Sequence, residues 1–209
     1  MMNNCPLCKI PLDQALLSNV GVDYCSRCYG LWFEEDELQE AKDQKDENLR
    51  WFDIDLWKDF FVNNPSLELL GLDSDEDIHF KSEKFIRRQL WRYESGLYGL
   101  LALIDKKTDK LVGQCGLLTQ EVDGETELEI GYHLIPKYWR QGFAREAAQF
   151  FKDYAFENNL SEALISIINV KNFASQKVAE KNGMTNIRKT FFLDKEVYIF
   201  QINKSDWKK

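Results

Sequence analysis

Residues 39–48, Gln-Glu-Ala-Lys-Asp-Gln-Lys-Asp-Glu-Asn, are almost wholly polar and divide the chain. They read as the end of a short helix running into a linker, a solvated charged face. From Leu49 onward apolar positions recur with helical and strand periods in turn. The spacing predicts helices over residues 53–62 and 82–95, the second carrying Phe85, Ile86, Leu90 and Tyr93 on one face. It predicts strands at Tyr98–Asp105 and Leu111–Leu118 around a turn at Lys106–Lys110. Beyond a polar loop with Asp123-Gly124, residues 126–134 alternate: Leu128, Ile130, Tyr132 and Leu134 share one face, and Glu127, Glu129, Gly131 and His133 the other.

An amphipathic helix follows at Phe143–Asn158, then a buried strand at Ala163–Ile168. A helix at Asn172–Lys181 is stopped by Asn182-Gly183, and a hairpin at Ile187–Leu193 and Glu196–Ile202 turns at Asp194-Lys195. Interleaved helices and strands, with antiparallel pairs at both ends, predict an α/β (α+β) fold on a mixed central sheet flanked by helices.

Composition narrows the function classes. With 44% apolar and 13% aromatic residues the chain can bury a core, and 11 Gly and 4 Pro exclude a collagenous or Pro-rich chain. The formal charge of −8 argues against a surface that grips nucleic acid. No long apolar run is present to span a membrane, and the opening Met-Met-Asn-Asn-Cys offers no apolar signal region. The expected compartment is the cytoplasm, where paired thiols serve more often as metal ligands than as disulfides.

Four of the five cysteines form two pairs, Cys5-Pro-Leu-Cys8 and Cys25-Ser-Arg-Cys28, separated by sixteen residues. That spacing suits two knuckles that complete a tetrahedron around Zn²⁺. Four thiolates leave no open coordination position, so the ion would be structural. Free cysteines or a redox dithiol are the alternatives, and neither pair opens a helix after a strand, as a redox pair would. Cys115, mid-strand, reads as a small buried hydrophobe.

The neighbouring residues resemble the zinc-ribbon family related to the transcription factor IIB zinc finger. Cys5-Pro-Leu-Cys8, Val22-Asp23 and Cys28-Tyr-Gly-Leu-Trp-Phe-Glu-Glu-Asp-Glu-Leu38 carry the likeness over about residues 4–40. Residues 1–47 hold four basic groups against ten acidic ones, a net of −6, so this segment suits a protein partner or a structural cap and not a phosphate backbone. The expected division is a ribbon at 1–40, a linker with a short edge strand at 41–52, and a larger domain at 53–209.

A second constellation, Ile135-Pro-Lys-Tyr-Trp-Arg-Gln-Gly-Phe-Ala-Arg-Glu-Ala147, lies between a strand and a helix. A Gly-containing turn lets backbone N–H groups converge, the helix start adds its positive dipole end, and Arg140 and Arg145 flank both. Alone, Gly-x-Ala is a weak signal, and a plain strand-to-helix turn is its default reading. In context, strand, Arg-Gln-Gly-Phe-Ala, helix, strand, then Asn-x-x-Ser in a helix ending Asn-Gly-Met is similar to the GNAT family of acetyl-CoA-dependent N-acetyltransferases. Glu129-Ile-Gly-Tyr132, Tyr138-Trp139, Gly142-Phe-Ala144, Glu146-Ala147 and Asn172-x-x-Ser175 resemble its RimJ/RimL-like branch, over about residues 60–202.

The resemblance implies acetyl-CoA in a splay between strands 126–134 and 163–168. Its pantetheine would pair with Leu134 and Ile135, and its pyrophosphate would meet the N–H groups of Arg140, Gln141, Gly142, Phe143, Ala144 and Arg145. Lys171 and Lys177 would reach the nucleotide phosphates or simply face solvent. A primary amine would attack the thioester directly, with Glu129 as general base or as a solvated strand residue. Asn172 would bond pantetheine or cap its helix. Ser175 would donate a proton to the CoA thiolate, because the family's tyrosine aligns with Ala179. Two further departures are Trp139 at the first position of the phosphate motif and a short first strand near Leu49–Phe52. The acceptor pocket is expected from residues 53–80 and 119–126. The overall acidity suits a small cationic amine or a peptide N-terminus. The competing reading is a non-catalytic CoA-binding module that docks proteins through its ribbon.

Overall fold

The computed structural model describes residues 4, 9–17, 20–24, 31–32, 54–72 and 75–208. The four paired cysteines and the edge strand expected at Leu49–Phe52 lie outside the described residues. The chain forms two compact units, Met1–Trp57 and Lys58–Lys209.

The first unit contains a three-stranded antiparallel sheet of β1 (Asp13–Leu17), β2 (Val20–Tyr24) and β3 (Leu31–Trp32). Asp13 pairs with Tyr24 at the open end of the hairpin, and an isolated bridge joins Asn4 to Pro11. The boundary between the units falls within helix α1 (Ile54–Phe61).

The second unit continues with α2 (Leu67–Leu70), α3 (Ile78–Glu94), β4 (Tyr98–Asp105), β5 (Lys110–Val122) and β6 (Glu125–Leu134). After these come α4 (Phe143–Glu157), β7 (Ala163–Asn169), α5 (Phe173–Lys181), β8 (Thr185–Phe192) and β9 (Lys195–Asn203). The six strands form one mixed sheet in the order β4-β5-β6-β7-β9-β8. Helix α3 begins four residues before the expected start, because the Asp77 side chain caps it by accepting from the Phe80 amide at 3.1 Å. The last hairpin turns at Leu193 and Asp194, both with positive φ, one residue earlier than the Asp-Lys pair suggested.

One side of the sheet carries the main core. Leu128, Ile130, Leu164, Ile168, Phe200 and Ile202 bury with Ala148, Ala155 and Phe156 of α4 and Ala179 of α5. Apolar burial of this kind supplies most of the favourable free energy of folding. Ala179 is 1% exposed within this core, so a tyrosine at that position would have to enter the core. Cys115 is also fully buried, as its strand position predicted, and burial pushes its thiol pKa up, which makes it inert.

The join that matters for the site is between β6 and β7. These strands run parallel, yet they register at a single pair, Glu129↔Ile165. Beyond that pair the backbones diverge, and side chains span the gap. Ser166 Oγ donates to the Ile130 carbonyl at 2.9 Å, and the Ile167 amide donates to Glu129 Oε1 at 3.2 Å. Among the described residues no helix is long and apolar enough to cross a membrane.

Candidate active site

Two cavities open along the β6–β7 divergence. The larger, about 870 Å³, runs between the turn that starts α4 and the start of α5. Its cationic wall is Arg140, Arg145, Lys171, Lys177 and Lys181, and no carboxylate among the described residues lines it. In a chain of net charge −8 such a one-signed cleft is electrostatically suited to an anion.

The turn itself explains how the anion would be held. Arg140 and Gly142 both adopt left-handed backbone, with φ of 61° and 95°, and Gly142 is the N-cap of α4. Left-handed residues in such a turn make successive N–H groups converge into a concave nest. No side chain caps this helix start, and the space beside the Gly142 Cα is open. The first turn of α4 therefore presents its orphan donors and dipole to the cleft.

Gly142, Ala144 and the two arginines line the cleft, whereas two neighbours turn to structural work. Gln141 Nε2 donates to the Lys137 carbonyl at 3.0 Å, and the Phe143 ring meets Tyr138 edge-on with centroids 6.2 Å apart. Lys181, one helical turn beyond Lys177, joins the cationic wall; the sequence argument stopped at Lys177.

The pantetheine expectation needs one correction. The Ile135 amide donates to the Val112 carbonyl at 3.0 Å, on the β5 side, so it is spent within the sheet. Leu134 faces the other way, and its carbonyl accepts from Trp139 Nε1 at 2.9 Å. Trp139 at the head of the phosphate motif thus fixes the strand end against the turn. Alternation then directs the Leu134 amide into the gap.

The second cavity, about 380 Å³, shares Leu69, Leu70, Tyr132, His133, Asn172 and Ser175 with the first. Glu129 lies at its floor and is 8% exposed. The face that sequence alternation marks as polar is therefore buried. Glu129 Oε2 accepts from Gln120 Nε2 at 2.7 Å, while Oε1 takes the Ile167 amide. Burial raises its pKa above the ordinary carboxylate value, and the two hydrogen bonds and the charges of Arg92 and Arg88 oppose part of that rise.

His133 sits against the rings of Phe60 and Phe85, with centroids 6.0 and 5.7 Å away, and its Nδ1 is 3.1 Å from Gln114 Nε2. Burial, followed by the charge of Arg88, lowers its pKa to about 4, so the ring is neutral at pH 7. Asn172 is the N-cap of α5, accepting from the Ser175 amide at 3.1 Å. The Tyr132 hydroxyl donates to the Ser175 carbonyl at 3.0 Å. Burial pushes its pKa up, so Tyr132 keeps its proton. Alternation assigned Tyr132 to the apolar face; its hydroxyl at the junction of the two cavities becomes visible only when α5 is in place.

Sequence reasoning also missed one wall. Residues 69–72 and Gln120 line the smaller cavity from the expected segments, but Phe85, Arg88, Gln89 and Arg92 of α3 line it as well. Gln89 Oε1 accepts from the Leu100 amide at 3.0 Å, and Arg92 donates to the Thr119 carbonyl at 3.2 Å and to Gln120 Oε1 at 3.1 Å. These polar residues, spaced three or four apart, carry a helical signal that reads equally well as a solvated face.

Comparison with known proteins agrees with this geometry. Residues 48–185 match the family model described as acetyltransferase (GNAT) domain, and residues 4–44 match one described as transcription factor zinc-finger. The uncharacterized protein YkkB of Bacillus subtilis is 40% identical over 95 residues, 44% of this chain and 55% of its own length. This chain therefore spans about half the length of that curated relative. An acetyltransferase from Agrobacterium tumefaciens superposes with a TM-score of 0.59 at 24% identity, over 72% of this chain and 85% of the other. The ribosomal-protein-S5-alanine acetyltransferase of Vibrio fischeri gives 0.57 at 15% identity, over 75% and 91%. With its splayed parallel pair, its nest at the start of α4 and a family model matched over most of its length, this chain belongs to the GNAT acetyltransferase domain family.

Proposed function

We propose that this protein transfers the acetyl group of acetyl-CoA to a primary amine, a peptide N-terminus or a small-molecule amine, by direct attack. The observation that carries the reading is the meeting of two cavities at Tyr132, His133, Asn172 and Ser175, one of them cationic and built on a backbone nest. The pyrophosphate belongs on the N–H groups around Gly142, Phe143, Ala144 and Arg145, with Arg140, Arg145 and Lys177 neutralising its charge. The pantetheine arm belongs in the β6–β7 gap beside Leu134.

The amine lies in the smaller cavity and attacks the thioester carbonyl. Glu129, whose pKa is raised by burial, accepts the ammonium proton directly or through a water. The thiolate leaves with a proton from Ser175, or from Tyr132, whose hydroxyl lies at the same junction. Asn172 holds the start of α5 in place by its cap. The motive for a non-catalytic module, alanine at position 179, loses force because that residue is buried in the core.

The four thiolates of Cys5, Cys8, Cys25 and Cys28 are assigned a structural Zn²⁺. The spacing of the two pairs, sixteen residues apart, and the zinc-finger family model matched over residues 4–44 support the assignment. Incubating the full chain with acetyl-CoA and an amine panel while following thiol release tests the activity; silence across the panel would sink it.

A further inference from the structure

The local charge of the smaller cavity is opposite to that of the whole chain. Its described lining carries Arg88, Arg92 and Lys195 as cations and Glu129 as its one carboxylate. That carboxylate is already engaged with Gln120 and Ile167 and makes no ion pair with either arginine. Arg92 is 6% exposed, and its described partners are a backbone carbonyl and an amide oxygen, both neutral. A buried guanidinium whose hydrogen-bond acceptors are all neutral retains unused donors, and the Glu129 carboxylate offsets its charge only in part, without a direct ion pair. Burial accordingly lowers its pKa.

Arg88, one turn earlier on α3, is exposed and forms no hydrogen bond or ion pair among the described residues. It faces inward nonetheless. Its charge is felt at Glu129, at His133 and at Arg92, three groups of the same cavity. Its neighbour Arg87 behaves differently, pairing with Glu83 along the outside of the helix at 2.7 Å. His133 is neutral at pH 7 and adds no positive charge of its own.

This cavity repels a polyamine or an aminoglycoside, which bring several positive charges. It suits a ligand that offers one amine toward Glu129 and an anion toward α3. We propose that the acceptor is a small primary amine bearing an anionic group, a carboxylate or a phosphate, which the Arg88 guanidinium holds with Arg92 behind it. Guanidinium forks match both anions in geometry, and the pair would orient the amine relative to Glu129. The inference rests on the acetyl-transfer reading, since it assigns the acceptor of that reaction. It also revises the charge argument from composition, because six of the eight net negative charges belong to residues 1–47 and only two to the rest of the sequence.

The test uses matched acceptors and the full chain. Amino acids are compared with their amides, and O-phosphoethanolamine with ethanolamine, by kcat/KM at saturating acetyl-CoA. The anionic member of at least one pair should be favoured by tenfold or more, and which pair it is separates carboxylate from phosphate. Arg88→Gln should narrow that ratio at least tenfold, whereas Arg87→Gln should leave it unchanged. Equal or better turnover of the neutral members overturns the proposal while leaving acetyl transfer intact.

A binding arm needs no turnover. N-acetyl amino acids and O-phosphoryl-N-acetylethanolamine are titrated calorimetrically with and without CoA, beside their neutral counterparts. Selective binding of the anionic ligands, lost in Arg88→Gln, supports the proposal. No selectivity, or no binding of any, overturns it whatever the activity. Failure of the protein to bind acetyl-CoA strikes the transfer reading instead.

Discussion

Glu129 reaches across the divergence of β6 and β7 and accepts the Ile167 amide on Oε1 at 3.2 Å. The carboxylate therefore has two candidate duties, holding the gap open at a fixed width and removing a proton from the acceptor. Glu129→Gln separates them. A glutamine keeps an oxygen for the Ile167 amide but sets an NH2 against Gln120, whose own oxygen is held by Arg92, so some stability is lost while CoA affinity, set in the other cavity, should hold within about threefold. General-base catalysis supplies typically 10²–10⁴-fold, and a loss of turnover in that range is expected. Unchanged turnover would reduce Glu129 to its structural duty. In the wild type the rising limb of the pH–rate profile should lie above the ordinary carboxylate range, because burial raises this pKa.

Gly142→Ala tests the nest. Its φ of 95° lies where an L side chain is disfavoured, and nothing stands within 4 Å of the added Cβ. The penalty is therefore backbone strain alone, about 1–2 kcal/mol. Denaturant unfolding should register that loss, and calorimetry should show CoA binding weakened about tenfold as the donors lose convergence.

His133 makes stability depend on pH. Its folded pKa of about 4 lies below the ordinary 6.5, so the neutral ring stabilises fully above pH 6.5. As pH falls from 6.5 to 4 the unfolded chain binds the proton first, and on the order of 3 kcal/mol is lost. His133→Phe keeps an aromatic ring beside Phe60 and Phe85 and should flatten the pH dependence in that window. Parallel pH–stability curves for the two proteins would contradict the assignment.

The paired cysteines predict a zinc ion in one-to-one ratio with the chain, measured by elemental analysis of protein purified without added metal. Cys25→Ser should lower that content and destabilise the first unit, because structural zinc contributes directly to folding. Metal-free protein with unchanged unfolding behaviour would remove the zinc assignment.

The fold was legible where local signals agree with tertiary ones. Strand β4 is bounded as expected because Gly96 and the Asp105–Asp109 turn punctuate it. The Asn182-Gly183 stop works through the Gly183 φ of 85°, which suits glycine at a helix end. The cationic turn before α4 was legible because its parts are local, the left-handed Arg140 and Gly142 and the neighbouring Arg145. The α3 wall of the smaller cavity was not. Arg92 earns its burial from Thr119 and Gln120, 27 and 28 residues away, and no period in α3 reports such partners. Tyr132 was read as core for the same reason, since its hydroxyl's partner, the Ser175 carbonyl, belongs to another element.

The central claim is that an amine in the smaller cavity takes the acetyl group from a cofactor in the cationic cleft. Mass spectrometry of an amine mixture incubated with the full chain and acetyl-CoA measures this most directly. The account predicts at least one amine gaining a single acetyl group, with an equal amount of free CoA thiol released. Acetyl-CoA bound tightly, yet no amine acetylated at any pH between 6 and 9, would contradict it.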